Sequence, residues 1–325
     1  MQIRDVTPRD GLQSEAPLAA ARRAALANEL AACGLAEIEV VSFVSPTAVP
    51  AMANATEVVA GIDRGPDVTW WALVPNRRGT ELAIAAGLRA LTITVSASDG
   101  YSQKNLGRPT AAVIAALPTL IPDAPATPLP DSWVSTRPGH AETHEQGGMG
   151  EWLRLDVVVS CAFGSPFGDV PDAVHVGRVL ADIAQAIPQA RLTLADTTGT
   201  ATPRRIGEVL DVVPAELRDD IGLHLHDSRG LAIANALAGI DRGITRFDTA
   251  VGGLGGSPFA PGAGGNLPTE QLAIVAHDLG LRTGIDIDRL IGLSRTLPDL
   301  VGHAVPSRVA EAGDLNPFAR SAGAT

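Results

Sequence analysis

Short runs rich in Val, Ile, Leu and Thr recur along this 325-residue chain, each closed by turn-forming residues. The pattern predicts strands near Ile3–Thr7, Glu37–Phe43, Thr69–Pro75, Ala90–Ala97, Asp156–Phe163, Arg191–Thr197, Ile221–Asp227 and Arg246–Gly252. Alanine-rich segments with helical spacing lie between them, among them Leu18–Cys33, Val170–Ile187, Pro203–Val213, Gly230–Arg242 and Pro268–Leu279. Strands alternating with helices predict a parallel sheet. Eight such units within about 280 residues fit a closed (β/α)8 barrel, the TIM-barrel architecture. An open doubly wound sheet is the alternative, but no Gly-x-Gly-x-x-Gly follows the first strand. The stretch Pro122–Gly150 breaks the rhythm with Pro, Gly, Ser and Thr. It reads as an inserted surface loop between the fourth helix and the fifth strand, carrying His140 and His144. The barrel domain is expected over residues 1–300, with 301–325 a tail of no clear pattern.

A parallel barrel builds its site at the C-terminal ends of its strands, so the polar residues there are the candidates. Strand one is followed by Arg9, Asp10 and Gln13. Strand two carries Glu39 and Ser42, and strand six ends in Asp196. Strand seven reads His224-Leu225-His226, and strand eight leads into a glycine-rich stretch holding Ser257 and closing at Asn266. Alternate strand residues point the same way, so the two imidazoles share a face while Leu225 turns to the helices. Barrel closure puts strand eight between strands seven and one. Asp10, His224, His226 and Asn266 then lie on one arc flanked by Glu39 and Asp196. Two nitrogen and two oxygen ligands without a thiolate favour Mg²⁺ or Mn²⁺, with Zn²⁺, Co²⁺ or Fe²⁺ as alternatives.

Composition narrows the functions. A hydrophobic content of 45% supplies a large core. A net charge of -11 argues against a sequence-independent grip on nucleic acid. An anionic ligand therefore needs a local basic patch. Lys104 is the only lysine, so any role for a side-chain ammonium falls on it. The two cysteines, Cys33 and Cys161, show no metal or redox spacing and point to a reducing compartment. With no apolar run near the roughly 20 residues of a membrane span and no basic-then-apolar leader, the expectation is a soluble cytoplasmic protein.

The stretches Pro8-Arg9-Asp10-Gly11-Leu12-Gln13-Ser14-Glu15, Ser42-Phe43-Val44-Ser45-Pro46, Ser160-Cys161-Ala162-Phe163-Gly164, Asp196-Thr197-Thr198-Gly199, His224-Leu225-His226-Asp227 and Val251 through Asn266 together resemble the 3-hydroxy-3-methylglutaryl-CoA lyase family. The likeness runs from about Ile3 to Leu281, interrupted by the insert. The leucine after Arg-Asp-Gly is closer to the lyases than to the condensing synthases, which usually carry glutamate there. The resemblance implies a TIM barrel and a metal held by Asp10, His224, His226 and Asn266. It also implies cleavage of an acyl-CoA to acetyl-CoA and a keto acid, and a homodimer. Arg9 would neutralise the enolate oxygen. On that reading its loss harms turnover but leaves the melting temperature nearly unchanged. Glu39 and Asp196 would orient the site and assist proton movement, and His224 is a further candidate for proton transfer. Gln13, Lys104 and Asn105 would lie on the acyl-CoA side. Ser257 departs from the family, whose lyases carry a catalytic cysteine there; a serine hydroxyl is a much weaker acid than a thiol. Competing readings are a related aldolase or Claisen-condensing enzyme, a non-catalytic metal-binding homologue, and an iron-dependent oxygenase.

Overall fold

The computed structural model describes residues 1–122, 153–256, 264–305 and 307–315. Eight parallel strands close into a barrel in sequence order. They are β1 (Gln2–Asp5), β2 (Glu37–Ser42), β3 (Thr69–Leu73), β4 (Ala90–Ser96), β5 (Arg154–Ser160), β6 (Arg191–Asp196), β7 (Ile221–Leu225) and β8 (Arg246–Thr249). Closure is made by β8 against β1, with Gln2 opposite Arg246 and Asp5 opposite Thr249. The barrel that the sequence pattern predicts is thus the fold. The predicted strands overshoot at their C-terminal ends, because the apolar pattern continues into loops that stay buried at the top of the barrel.

The strands obey a period of two with an unusual inner face. Leu91, Ile93 and Val95 of β4, Leu155, Val157 and Val159 of β5, and Leu223 and Leu225 of β7 belong to the apolar core. The intervening positions point inward, and many carry charge: Arg4, Glu37, Asp156, Arg191, Arg246 and Asp248 are all buried. Barrel interiors are more often filled by branched aliphatic side chains. Here Arg4, Arg191 and Arg246 all approach Asp156, at 3.0, 3.0 and 3.4 Å. The Trp71 ring lies among them, with the Arg191 and Arg4 guanidinium carbons 4.1 and 5.1 Å from its centroid.

The outer layer comprises α1 (Ala20–Ala32), α2 (Ala55–Ala60), α3 (Arg77–Ala85), α4 (Asp99–Leu106), α5 (Thr110–Leu120), α6 (Ala173–Ala186), α7 (Pro203–Asp211), α8 (Ala232–Ile240), α9 (Thr269–Asp278), α10 (Ile287–Val301) and α11 (Arg308–Ala312). The start of α6 shows how local sequence sets an element. The Asp172 side chain accepts from the His175 amide, and Val176, Val179, Leu180 and Ile183 form the buried stripe.

Two details differ from the sequence reading. Among the described residues two helices, α4 and α5, follow β4, so the irregular stretch comes after the fifth helix rather than the fourth. Its residues 123–150, with His140 and His144, lie outside the described residues. The boundary drawn at residue 300 falls in the last turn of α10. Among the described residues beyond it, Arg308–Ala312 form α11, tied back by Arg295 Nε donating to the Ala310 carbonyl at 2.7 Å.

Candidate active site

Asp10 is delivered by a π-helical turn, Thr7–Gly11, that follows β1 directly. The turn is fastened from both sides. The Asp5 carboxylate accepts from the Thr7 amide at 2.9 Å and from the Thr269 hydroxyl at 2.7 Å. Thr7 Oγ1 accepts from the Val251 amide at 2.8 Å, joining the first loop to the last. Burial pushes the Asp5 carboxyl up to about 6, the bonds from Thr7 and Thr269 working against it.

Asn266 reaches the same place through backbone pairing. It forms an isolated antiparallel bridge with His226, and the Leu267 amide donates to the Leu225 carbonyl at 2.8 Å. Its Nδ2 donates to Asp10 Oδ2 at 2.8 Å and to the Leu254 carbonyl at 2.9 Å. Gly255 gives this approach its room. Its φ is +111°, and a Cβ there would stand 2.4 Å from Asn266 Nδ2 and 3.4 Å from Asp10 Oδ2.

The imidazole rings of His224 and His226 lie 5.1 Å apart and nearly perpendicular. His226 Nδ1 lies 3.1 Å from the Thr197 carbonyl oxygen, which can only accept, so the proton of a neutral ring sits on Nδ1. His226 Nε2 is left 3.8 Å from Asp10 Oδ2, buried and without a hydrogen-bond partner. His224 Nδ1 lies 3.1 Å from Asp248 Oδ2, which leaves its Nε2 4.0 Å from Asp10 Oδ2. One ligand atom each from Asp10, His224 and His226 lie within 4.8 Å of one another, and this is the one such cluster among the described residues. Asn266 Oδ1 is likewise buried and unpartnered. Burial normally forces such atoms into hydrogen bonds. Two orphaned lone pairs beside a carboxylate and a second imidazole therefore fit a divalent cation, with nitrogen and oxygen donors and no thiolate.

The electrostatics agree with that fit. Burial works to raise the Asp10 carboxyl, but Arg9, His226 and His224 hold it well below the usual carboxylate range. Burial favours neutral His226, yet Asp10 and Asp196 carry its pKa above the ordinary value. A cation held by these residues would take the place of that extra proton.

Around this centre, Arg9 Nε pairs with Glu39 Oε2 and Arg9 Nη1 with Asp10 Oδ1. Glu39 is fully buried, and its Oε1 has no partner. A register shift between Glu39 and Val41 explains why Glu39 and Ser42, three apart, face the same way. Glu39 pairs with Trp71 and Ser42 with Leu73, both on the inner face of β3. The Ser42 hydroxyl is buried and unpartnered. Gln13 Nε2 donates to Asp10 Oδ1 at 3.1 Å and approaches the Gly256 carbonyl at 3.5 Å.

Of the four other predicted residues, Asp196, Lys104 and Asn105 make no hydrogen bond to this cluster among the described residues. Asp196 accepts from the Thr200 and Ala201 amides at 2.9 and 3.1 Å, so both its oxygens serve its own loop. Burial lifts its carboxyl above the ordinary value despite those bonds. Lys104 and Asn105 sit in the last turn of α4, at the catalytic end of β4, with Lys104 exposed. Ser257 lies outside the described residues.

The sequence reading passed over Asp248 and Arg4. Burial works to raise the Asp248 carboxyl, but Arg4 and His224 hold it well below the usual carboxylate range. The signal was available. Charges inside barrel strands, as at Arg4 of β1 and Asp248 of β8, are buried by the closure of the barrel and must therefore be paired.

A sequence model of the family described as HMGL-like matches residues 1–297. The chain is 36% identical over 327 residues to the (R)-citramalyl-CoA lyase of Chloroflexus aurantiacus, an alignment spanning 97% of this chain and 95% of that enzyme. It is 33% identical over 311 residues to the hydroxymethylglutaryl-CoA lyase of Bacillus subtilis, spanning 94% and 95%. A solved HMG-CoA lyase from Acinetobacter baumannii, in complex with coenzyme A and 3-methylmalate, superposes with a TM-score of 0.82 at 34% identity, covering 98% of this chain and 96% of that one. Among the described residues no helix is long and apolar enough to cross a membrane. With one family pattern and one fold shared over nearly its whole length, the chain belongs to the HMGL-like family.

Proposed function

We propose that this chain is a divalent-metal-dependent carbon–carbon lyase. It cleaves a 3-hydroxy-3-alkyl acyl-CoA of the 3-hydroxy-3-methylglutaryl type to acetyl-CoA and a keto acid. The observation that carries the reading is the pair of orphaned donor atoms, His226 Nε2 and Asn266 Oδ1, beside the ion-paired Arg9. Asp10, His224, His226 and Asn266 hold Mg²⁺ or Mn²⁺ in this reading. A cation bound there supplies Lewis-acid polarisation of the substrate's hydroxyl and acid oxygens.

The chain's own groups supply the rest. Cleavage removes the hydroxyl proton, makes a ketone at C3, and sends the C2–C3 electron pair to the thioester as an enolate. Arg9 is buried with two donors committed to Glu39 and Asp10, so its guanidinium meets the developing enolate charge already oriented. Glu39 fixes Arg9 through one oxygen, and its other oxygen, buried and without a partner, is the group assigned to hold the departing proton. Asp196 acts through position: it fastens the loop whose Thr197 carbonyl orients His226. His224 serves as a ligand and moves no proton, both its nitrogens being engaged. Ser257 takes the place of the family cysteine as donor of the proton that C2 receives. Gln13 braces Asp10 against the glycine-rich loop, and Lys104 with Asn105 marks the coenzyme A entrance. The oligomer is a homodimer on the family resemblance alone.

The two relatives named above act on thioesters whose acids differ by one methylene, a distinction usually worth only about 1–3 kcal/mol in a pocket. The deciding experiment offers the Mn²⁺-loaded protein 3-hydroxy-3-methylglutaryl-CoA and citramalyl-CoA in parallel, with products read by mass spectrometry. Acetyl-CoA is expected in at least one reaction, accompanied by acetoacetate from the first or pyruvate from the second. Release of free acid with coenzyme A and no acetyl-CoA would indicate thioester hydrolysis and sink the lyase reading.

Lys104 provides an independent check. As the sole lysine it can be amine-labelled cleanly apart from the N-terminus. Saturating coenzyme A is expected to slow its labelling several-fold while leaving the N-terminus unaffected. Equal labelling with and without coenzyme A would remove Lys104 from the entrance.

A further inference from the structure

Beneath the ligand cluster the barrel holds a polar chain that the lyase reaction itself does not require. Arg4 on β1 grips Asp248 on β8 with a two-pronged contact, Nε to Oδ1 and Nη2 to Oδ2, both 2.8 Å. Its Nη1 meets Asp156 at 3.0 Å and the Thr92 hydroxyl at 3.3 Å, and its flat face rests against Trp71. Arg4 is 3% exposed and Asp248 5% exposed, so neither exchanges these partners for water. Asp248 Oδ2, held in this way, is the atom 3.1 Å from His224 Nδ1.

We propose that Asp248, clamped by Arg4, is the positioning residue that gives His224 its tautomer and ring orientation as a metal ligand. The proposal rests on the reading of Asp10, His224, His226 and Asn266 as the metal site. A carboxylate that can only accept requires the proton on Nδ1 and leaves the lone pair on Nε2, the nitrogen facing Asp10. The clamp has a further effect. A free carboxylate turns about its last bond, and the imidazole would follow it. With three Arg4 nitrogens committed, that motion is closed off.

The two histidines are therefore not equivalent. His226 is oriented by a neutral backbone carbonyl, His224 by a charged carboxylate. A carboxylate held by Arg4 fixes the tautomer and ring plane of His224, whereas His226 depends on the loop that carries the Thr197 carbonyl. Energetics point the same way. Burying an ion pair seldom stabilises a fold more than apolar side chains of the same volume would. An Arg–Asp pair in the centre of a barrel is better explained by what it orients than by stability.

The test measures Mn²⁺ affinity by titration calorimetry on metal-stripped wild type, Asp248→Asn and Arg4→Met, with His226→Ala as the control lacking a proposed ligand. Asp248→Asn is expected to bind Mn²⁺ about 10–100-fold more weakly. Its turnover should recover to within a few-fold of wild type at saturating Mn²⁺, which a general structural defect would not allow. Arg4→Met is expected to show a smaller loss, because the acceptor remains but is free to turn. Folded Asp248→Asn with affinity within twofold of wild type would overturn the proposal. A wild type that binds no Mn²⁺ would instead overturn the metal reading on which it rests. Should either variant fail to fold, the wild type still decides. In the ¹⁵N spectrum of the Mg²⁺-loaded, histidine-labelled chain, His224 is expected to carry its proton on Nδ1 in slow exchange with water. A His224 protonated on Nε2 would refute the clamp.

Discussion

Replacing Arg9 by methionine is expected to lower kcat by about 10³-fold, because one preorganised donor at a developing oxyanion typically contributes 10²–10³ and Arg9 adds a full charge. KM should change far less, since the enolate charge exists only after bond breaking begins. The structure also corrects the sequence-based expectation that Arg9→Met leaves the melting temperature unchanged. Arg9 is 7% exposed and Glu39 fully buried, so the substitution strands two carboxylates, Glu39 and Asp10, without their shared cation. Breaking one side of a buried pair costs about 3–5 kcal/mol. For a domain of this size that is a fall of about 5–10 °C. A double variant separates the two effects. Arg9→Met with Glu39→Gln removes most of the uncompensated charge, so its melting temperature should return toward wild type while kcat stays well below that of Glu39→Gln alone. If restoring stability also restored turnover, Arg9 would be a structural residue and its place in the reaction would be wrong.

His226→Ala is expected to weaken Mn²⁺ binding by at least about 100-fold, more than the 10–100-fold typical of losing a group that merely supports a ligand. His226 Nε2 is buried and has no other partner, so nothing nearby can replace it. The chain should still fold, because the ring's one hydrogen bond, to the Thr197 carbonyl, is a neutral contact contributing about 1 kcal/mol. Two readouts follow. Elemental analysis after mild dialysis should find about one Mn²⁺ per wild-type chain and close to none in the variant. Thermal melts should agree: Mn²⁺ at 100 times its dissociation constant stabilises a binding chain by about 2.7 kcal/mol, and the variant should gain nothing comparable. Equal metal content in both proteins would remove His226 from the ligand set.

The regular parts of this architecture were legible because their signals are local. His224-Leu225-His226 needs only the period of a strand to put both rings on one face, and Leu225 indeed lies in the core between strand and helix. Other features depend on interactions that sequence spacing does not specify. The π-helical turn that aims Asp10 depends on bonds from Asp5 and Thr7 to the distant Thr269 and Val251. The bulge in β2 turns Ser42 inward, where strict alternation from Glu39 would send it outward. Asp196 also accepts from the amides four and five residues on, a local cap that spacing alone does not reveal. Asp248 was passed over. Barrel architecture points to strand ends, and this residue works from within a strand, behind the ligand it orients.

One assay tests the ligand cluster and the lyase reaction together. Metal-stripped wild-type chain is mixed with 3-hydroxy-3-methylglutaryl-CoA or citramalyl-CoA, and acetyl-CoA is followed by mass spectrometry as Mn²⁺ or Mg²⁺ is added back. Acetyl-CoA formation that is absent without metal, appears on addition of about one equivalent, and stays absent in His226→Ala is the predicted result. Acetyl-CoA released at the same rate with and without the cation, or by His226→Ala as fast as by wild type, would contradict the account.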